Sequence, residues 1–496
     1  MFKPCTLAKM ALSLIVSTAS VPGHGQPTPS SSPVSVTIYD RTRVDAWQWF
    51  AAPPQSETYG YVESLLRIGV AQRVRHVDWS LELAQPAVLG LPNDAVSPVT
   101  AQGQLGLGGT YYAANANSNA AAAFLKQGFV RYHFSNQADH DSAARIGRFE
   151  FIEGQEIQSK DASINWLQTN RIAHRLIGNF GFSNAQRSFD GVDGHYSAHN
   201  FQVDAMAGRA DQGVFNMNGN PELNVDVQYL AFSQTLLKQH VLWRAFGVGY
   251  HDGRTGLAKT DNRALAIRAA DHTNIRVGSY GGDFLATIPA GSGRLDFLFW
   301  GVLQNGRWGA LSHNANAVAV EGGYQPTRSP RSPWLRAGWF RGSGDSNTTD
   351  GKHGTFFQVL PTPRIYARTP FYNLMNNTDE FVQINEKPVA KLALRADMHW
   401  LQLTSPGDLW YQGGGAFDNK VFGYTGRPSG GSSSFASVAD ISADWQVSKV
   451  IAVNFYYAHT WGKTVVQKIY PTNASANYGY VEFVYKWGAS QKTTAK

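Results

Sequence analysis

Single basic residues interrupt many apolar stretches of this 496-residue sequence. Those that stand among small, apolar or aromatic neighbours are Arg131, Arg148, Arg244, Arg268, Lys391 and Arg395. Acidic residues occur in comparable positions at Glu150, Asp397 and Glu482. A guanidinium presents a planar fork of donors that suits carboxylates. The chemistry indicated is recognition of anions, and the alternative is that these charges pair with one another and brace a wall.

The sequence contains no convincing catalytic or metal-binding constellation. There is no G-x-S-x-G elbow, and His195 and His199 lack the glutamate of H-E-x-x-H. The acidic run from Asp345 to Asp350 lacks the glycine and glutamate positions of an EF-hand. We therefore predict no catalytic residue, no metal ligand and no cofactor.

Residues 391–403, KLALRADMHWLQL, show what positions the charged residues. Leu392, Leu394 and Trp400 alternate with Arg395 and Asp397, which is the period of a two-faced strand. The pattern recurs down the chain in stretches of about ten residues, the length of a tilted strand that crosses a bilayer. It predicts an all-β fold, a transmembrane antiparallel β-barrel of about 16–18 strands, apolar outside and polar inside.

The barrel prediction assigns the lone basic residues to the lumen. An arginine that faces lipid at the bilayer midplane costs about 2–4 kcal/mol, so arginines in the middle of strands should face inward. Arg268 is included because residues 263–271 are predicted to be a strand. Charged residues make up 16 % of the chain, below the usual value of about 25 %. The net charge of +7 is spread singly, without the Lys/Arg run of a nucleic-acid arm.

The two ends of the chain differ from its centre. Residues 1–25 resemble a secretory signal, with Lys3 and Lys9 before a short apolar core. Cleavage after Ala19 and after Gly25 are both compatible with the sequence. We predict a signal peptide at 1–25, a Pro/Ser linker at 26–34, a single barrel domain at 35–487 and a polar tail at 488–496. A signal peptide followed by amphipathic strands indicates the outer membrane of a Gram-negative bacterium.

Two long stretches break the strand rhythm. Residues 85–120 are rich in Gly, Ala, Asn and Gln, and residues 342–378 begin with a Gly/Asp/Asn-rich run. Long loops in a regular array are usually functional or disordered. In a barrel such loops can fold inward, so we expect both to narrow and gate the lumen.

Five stretches together resemble the alginate export family of outer-membrane porins. They are RIGRFEFIEGQEI (145–157), RLIGNFGFSNAQRSFDGVDGHY (175–196), RGSGDSNTTDGKHGTFFQVLPTPRIY (341–366), KLALRADMHWLQLTSPGDLWY (391–411) and DISADWQVSKVIAVNFYYAHTWG (440–462). The resemblance implies an 18-stranded barrel that passes an anionic uronate polysaccharide through an electropositive constriction, passively and without a cofactor. Arg148 and Arg187 lie in matching motifs, so the resemblance implies that both are pore residues.

The functional prediction is a non-enzymatic outer-membrane porin for anionic solutes, such as the acidic polysaccharide alginate, with an arginine-lined lumen. One alternative is a general porin for small anions or carboxylates. Another is an outer-membrane hydrolase with a Ser/His/Asp cluster at the rim of the barrel. The expected partners are an anionic polysaccharide or small anions, outer-membrane lipid and periplasmic export proteins, but not nucleic acid.

Overall fold

The chain folds into a closed, antiparallel barrel of 18 strands, which confirms the predicted fold class. The computed structural model describes residues 32–137, 139–326, 333–362 and 364–490. The predicted signal peptide lies outside these residues, as do most of the linker and the last six residues of the tail. Within the described ranges, no helix is both long and apolar enough to cross a membrane.

The barrel strands are numbered in chain order. The first nine are β1 (Ser35–Gln48), β2 (Thr58–Val74), β3 (Val77–Leu89), β4 (Phe124–Gln137), β5 (His140–Phe149), β6 (Phe189–Ala198), β7 (Phe201–Asp211), β8 (Glu222–Leu236) and β9 (Val241–Asp252). The other nine are β10 (Ile275–Ala290), β11 (Gly293–Trp308), β12 (Leu311–Pro326), β13 (Trp334–Gly342), β14 (Asn377–Val389), β15 (Leu392–Leu403), β16 (Ser434–Gln446), β17 (Ile451–Gly462) and β18 (Ser475–Ser490).

The barrel closes where β1 pairs with β18. The register runs from Ser35 opposite Ser490 to Gln48 opposite Asn477. Inside this seam the fully buried Arg43 of β1 binds Glu63 of β2 at 2.5 Å and lies 3.8 Å from Glu482 of β18. One guanidinium therefore links three consecutive strands around the closure.

Side chains alternate between lipid and lumen as the period-two pattern predicts. On β15, Trp400 is 39 % exposed, whereas its neighbour His399 is fully buried. Val130, Tyr132 and Phe134 of β4 are likewise exposed on the outside. Apolar side chains cover the outer surface because lipid, unlike water, does not penalise their exposure.

The two ends of the barrel have different connections. Two to seven residues join strands at one end, namely 75–76, 138–139, 199–200, 237–240, 291–292, 327–333, 390–391 and 447–450. The opposite end carries 49–57, 90–123, 150–188, 212–221, 253–274, 309–310, 343–376, 404–433 and 463–474. Barrels of this type have short periplasmic turns and longer extracellular loops. The second end is therefore the extracellular one.

Four of the extracellular connections turn into the barrel and pack together. Residues 90–123 carry helix α1 (Gly106–Asn115), and residues 150–188 carry helix α2 (Ala162–Leu167). Residues 343–376 are mostly irregular, whereas 404–433 form an inner hairpin from Leu409–Gly413 and Tyr424–Pro428. Their aromatic side chains form a buried core inside the barrel. The predicted loops 85–120 and 342–378 match two of these segments within a few residues, but the inner hairpin was not predicted.

Candidate pore and its lining residues

Residues 150–188, here called the plug segment, run through the lumen towards the periplasmic end. Asp161 caps α2 by accepting hydrogen bonds from the backbone N–H groups of Ser163 and Ile164 at 2.9 and 3.3 Å. The same carboxylate accepts from the ring of His240 at 2.8 Å and from the hydroxyl of Thr287 at 2.9 Å. Since His240 lies in a periplasmic turn, Asp161 fastens the bottom of the plug segment to the wall.

Replacing Asp161 with alanine should loosen this end of the plug segment. Loss of a helix N-cap alone costs about 0.5–2 kcal/mol, and two further hydrogen bonds to the wall disappear. We expect faster hydrogen exchange across 159–168 while the barrel strands keep their protection. Unchanged exchange in this range would show that the cap does not hold the segment.

Arg244 anchors the upper part of the plug segment. It faces the lumen from β9 and is buried, 2.5 Å from Glu153 and 3.3 Å from Glu156 of the plug segment. The guanidinium also binds Asp283 of β10 at 2.7 Å and the hydroxyl of Tyr229 at 2.8 Å. Arg244 therefore faces inward, and its Nε and Nη1 atoms are occupied by these partners, so it braces the plug.

Arg187, the other residue taken from the family motif, lies at the end of the plug segment. Its guanidinium is fully buried and donates to the carbonyl oxygens of Gly178 at 3.0 Å, Leu360 at 2.9 Å and Gly414 at 2.7 Å. Burial lowers the pKa of Arg187 to about 10. These acceptors belong to three different inner segments, so Arg187 joins the plug segment, 343–376 and 404–433.

Arg395 and Asp397 lie where β15 meets residues 343–376. They form an ion pair, and Arg395 also donates to the carbonyl of Tyr366. Next to them, the Nδ1 atom of His399 lies 2.9 Å from Asp379, and its Nε2 atom lies 4.0 Å from Asp440. Donor atoms of Asp397, His399 and Asp440 lie within 4.8 Å of one another. Among the described residues this is the group whose geometry comes nearest to a cation site.

The remaining predicted acids are neutralised by bases on the same inner wall. Glu150 lies 2.9 Å from Arg67 and 3.5 Å from Lys126. Glu482 lies 3.7 Å from Arg41 and 3.8 Å from Arg43. Arg131 faces inward beside a cavity of about 400 Å³ near the periplasmic end. Much of the interior charge therefore holds the wall and the inner segments together.

Three predicted basic residues lie elsewhere than the sequence suggests. Arg148 is on the outward face of β5, in line with the exposed Ile146, and its partner is Asp190 at 2.5 Å. It is tolerated because it lies near the extracellular end of the strand, where the cost of a lipid-facing charge is only about 0–1 kcal/mol. Arg268 is in a short helix, Leu265–Ala270, of the connection 253–274, and Lys391 is in a periplasmic turn.

Arg364 is a further arginine of the lumen, and it is not among the predicted pore residues. Among the described residues, none of its three guanidinium nitrogens has a hydrogen-bond partner, although all three are buried. The group stacks on the ring of Phe182, and burial lowers its pKa to about 10. In the sequence Arg364 directly follows Pro363, in a segment with no regular pattern, so no signal marks it.

Arg364 borders a cavity of about 170 Å³ between the inner segments. The cavity wall has six aromatic side chains, namely Phe180, Phe215, Tyr372, Phe417, Phe422 and Tyr424. A guanidinium with free donors binds carboxylates strongly in a site of low dielectric constant. Together with flat aromatic faces, it is suited to a ring-shaped solute that carries a carboxylate.

Comparison with solved structures supports the same architecture. OccK9 (OpdG) of Pseudomonas aeruginosa is 11 % identical, with a TM-score of 0.54 and coverage of 92 % of this chain and 98 % of that one. OccAB2 of Acinetobacter baumannii is 9 % identical, with the same TM-score and coverage. OpdK of P. aeruginosa, solved with vanillate, is 9 % identical, with a TM-score of 0.52 and coverage of 92 % and 99 %. At these identities the likeness concerns the fold alone.

Comparison with known sequences identifies the family. A search of curated proteins finds no significant match. The family model described as alginate export matches residues 97–474, which include β4 to β17 and all or most of each inner segment. This match covers more than half of the chain and shows that the chain belongs to the alginate export family.

Proposed function

We propose that this porin gives passive passage to anionic solutes, and that its substrate is an acidic polysaccharide or oligosaccharide such as alginate. The observation that carries the proposal is Arg364, whose buried guanidinium has no hydrogen-bond partner in the described part of the chain and borders a cavity in the lumen. A buried charged donor without an acceptor is destabilising unless an anion binds to it. The family match supports a uronate polymer as that anion.

In this proposal the inner segments regulate passage. A polymer needs a wider path than the packed segments leave, so the connections 90–123 and 343–376 move as gates while the strands stay in place. The support is that side-chain hydrogen bonds hold both connections to their neighbours. Arg187 donates to the carbonyl of Leu360, and Arg427 donates to the carbonyl of Gln102. No catalytic step is involved, and direction is set by the solute gradient and by periplasmic export partners.

A porin for small carboxylates is the second candidate. The structure of OpdK with vanillate shows that a barrel of this fold can hold an aromatic carboxylate. The cavity beside Arg364, at about 170 Å³, has room for one small ring and not for a chain of them. In this candidate the inner segments stay packed and only small solutes pass.

Single-channel recording in planar bilayers separates the two candidates. Under the proposal, polymannuronate blocks the current and a neutral glucan of equal length does not. Arg364→Gln should weaken that block about tenfold, the effect of losing one charge-assisted contact of about 1.5 kcal/mol. Block by small carboxylates alone would favour the second candidate.

Arg148→Gln is the matched control for Arg364→Gln, because Arg148 is also a buried arginine but lies on the outward face of β5. We expect it to leave the block unchanged. A weaker block in Arg148→Gln than in Arg364→Gln would contradict the assignment of Arg364. Absence of any channel from folded protein would contradict passage altogether.

A further inference from the structure

The outer surface of the barrel carries a row of charged residues near its extracellular end. Their backbone positions are directly opposite one another on consecutive strands from β5 to β11. This outer charged row consists of Arg148, Asp190, Arg209, Asp226, His251, Arg276 and Arg307. All seven have the parity of exposed apolar residues such as Ile146, Leu230 and Leu303, so the row faces away from the lumen.

The five residues of the row from Arg148 to His251 are electrically balanced within the protein. Arg148 binds Asp190 at 2.5 Å, and Arg209 binds Asp226 at 2.8 Å. The ring of His251 lies 3.7 Å from Asp226. These five residues therefore need no external partner.

The last two residues of the row are not electrically balanced. Arg276 and Arg307 are directly opposite each other on β10 and β11, and both are exposed. Within the described residues neither guanidinium has an acidic partner. Lys352 extends this basic patch, because it pairs with Ser312, the residue opposite Arg307. Like charges directly opposite in a sheet are destabilising. An external anion bound to Arg276, Arg307 and Lys352 would remove this repulsion.

The height of the basic patch indicates where that anion comes from. Arg276 and Arg307 are each fifteen positions from the periplasmic turn 291–292. At about 3.3 Å per residue and a tilt of about 45°, they lie about 35 Å above that turn. The apolar band of such barrels is about 25 Å tall. The patch therefore lies above the band, at the level of the head groups of the outer leaflet.

The surface below the patch is apolar. On the same two strands, Tyr280 and Leu303 are directly opposite each other four residues further down, and Phe299 follows below them. All three are exposed on the outer face, Leu303 by 69 %. A ligand that fits both features has a charged head and hydrocarbon chains.

We infer that Arg276, Arg307 and Lys352 bind the phosphorylated head group of an outer-leaflet lipid, whose acyl chains lie on Tyr280, Leu303 and Phe299. Guanidinium forks bind phosphate oxygens in a bidentate manner, and two opposed arginines hold one phosphate between them. A second copy of this chain is a poorer occupant, because two identical basic patches repel each other.

The test is lipid binding by the whole folded protein in detergent micelles, measured by native mass spectrometry. The probe is bis-phosphorylated lipid A, compared with the same lipid after its phosphates have been removed. We compare the wild type with Arg276→Gln/Arg307→Gln, and with the control Lys387→Gln/Lys391→Gln at the periplasmic end. The wild type and the control should retain phosphorylated lipid A, and the patch variant should bind it at least tenfold more weakly.

Three results would overturn the inference. The first is equal retention of lipid A by the patch variant, and the second is equal retention of the dephosphorylated lipid by the wild type. The third is displacement of the lipid by millimolar inorganic phosphate, which would assign the patch to a free anion. The unheated electrophoretic mobility of each variant serves as the check that the barrel is folded.

Discussion

Arg187→Ala is expected to widen the path through the lumen without unfolding the barrel. The substitution removes the donors to Gly178, Leu360 and Gly414. Leu360 keeps a hydrogen bond from the backbone N–H of Gly178, but the carbonyl oxygens of Gly178 and Gly414 lose the side-chain donor that they share. Each buried polar group left unpaired costs about 1–3 kcal/mol, and a cavity is added to that cost. Three inner segments lose one contact that they share, while the ladder of barrel hydrogen bonds is untouched. We expect a severalfold larger and noisier single-channel conductance.

Limited proteolysis provides the second measurement on Arg187→Ala. Cleavage should appear within 150–188, 343–376 and 404–433, and the barrel strands should stay intact. Arg187→Lys is the control, since an ammonium keeps the charge but cannot reach three acceptors in the fixed geometry of a guanidinium. It should give an intermediate conductance. Wild-type conductance together with wild-type cleavage in the alanine variant would contradict the role of Arg187 as a clamp.

Arg244→Ala is expected to give the largest loss of stability. It leaves Glu153, Glu156 and Asp283 inside the barrel without their common counter-charge. Removal of one partner from a buried ion pair costs about 3–5 kcal/mol, and here several acids share the partner. The midpoint of guanidinium chloride unfolding in micelles should fall clearly.

The matched control for Arg244→Ala is Arg209→Ala. Arg209 also forms an ion pair with an aspartate on the neighbouring strand, but it lies on the outer face with a side chain that is 42 % exposed. Exposed pairs contribute about 0–1 kcal/mol, so its unfolding midpoint should hardly change. Similar shifts in the two variants would show that burial of Arg244 is not what makes it important. A rescue of Arg244→Ala by Glu153→Gln would support the imbalance of charge as the cause.

The sequence predicts the barrel wall well because the relevant signal is local. In β15, the alternation of Leu392 and Leu394 with Arg395 and Asp397 is produced by the backbone itself, which turns each successive side chain to the other face. The same reasoning correctly places Phe483 and Trp487 of β18 outside. Lipid on one side and polar groups on the other make that period strict.

The interior could not be predicted in the same way. The partners of the plug segment are distant in sequence: Arg171 donates to the carbonyl of Ile365, and Arg187 donates to the carbonyl of Gly414. No period marks such contacts. The misplacement of Arg148 has a different cause. A lone arginine between small or apolar residues indicates the lumen only at the midplane of the bilayer, and the sequence pattern carries no information on height.

The long reach of the plug segment has a consequence for biogenesis. Its hydrogen bonds span 91 residues at Glu153, 194 at Arg171 and 227 at Arg187. Contacts of such separation form late, because the cost of closing the intervening chain comes before any gain. The anchor of the plug on β9 needs nine of the eighteen strands to be present, and the anchor on 404–433 needs fifteen. Maturation of this pore therefore proceeds from wide to narrow, with the wall complete before the channel is occluded.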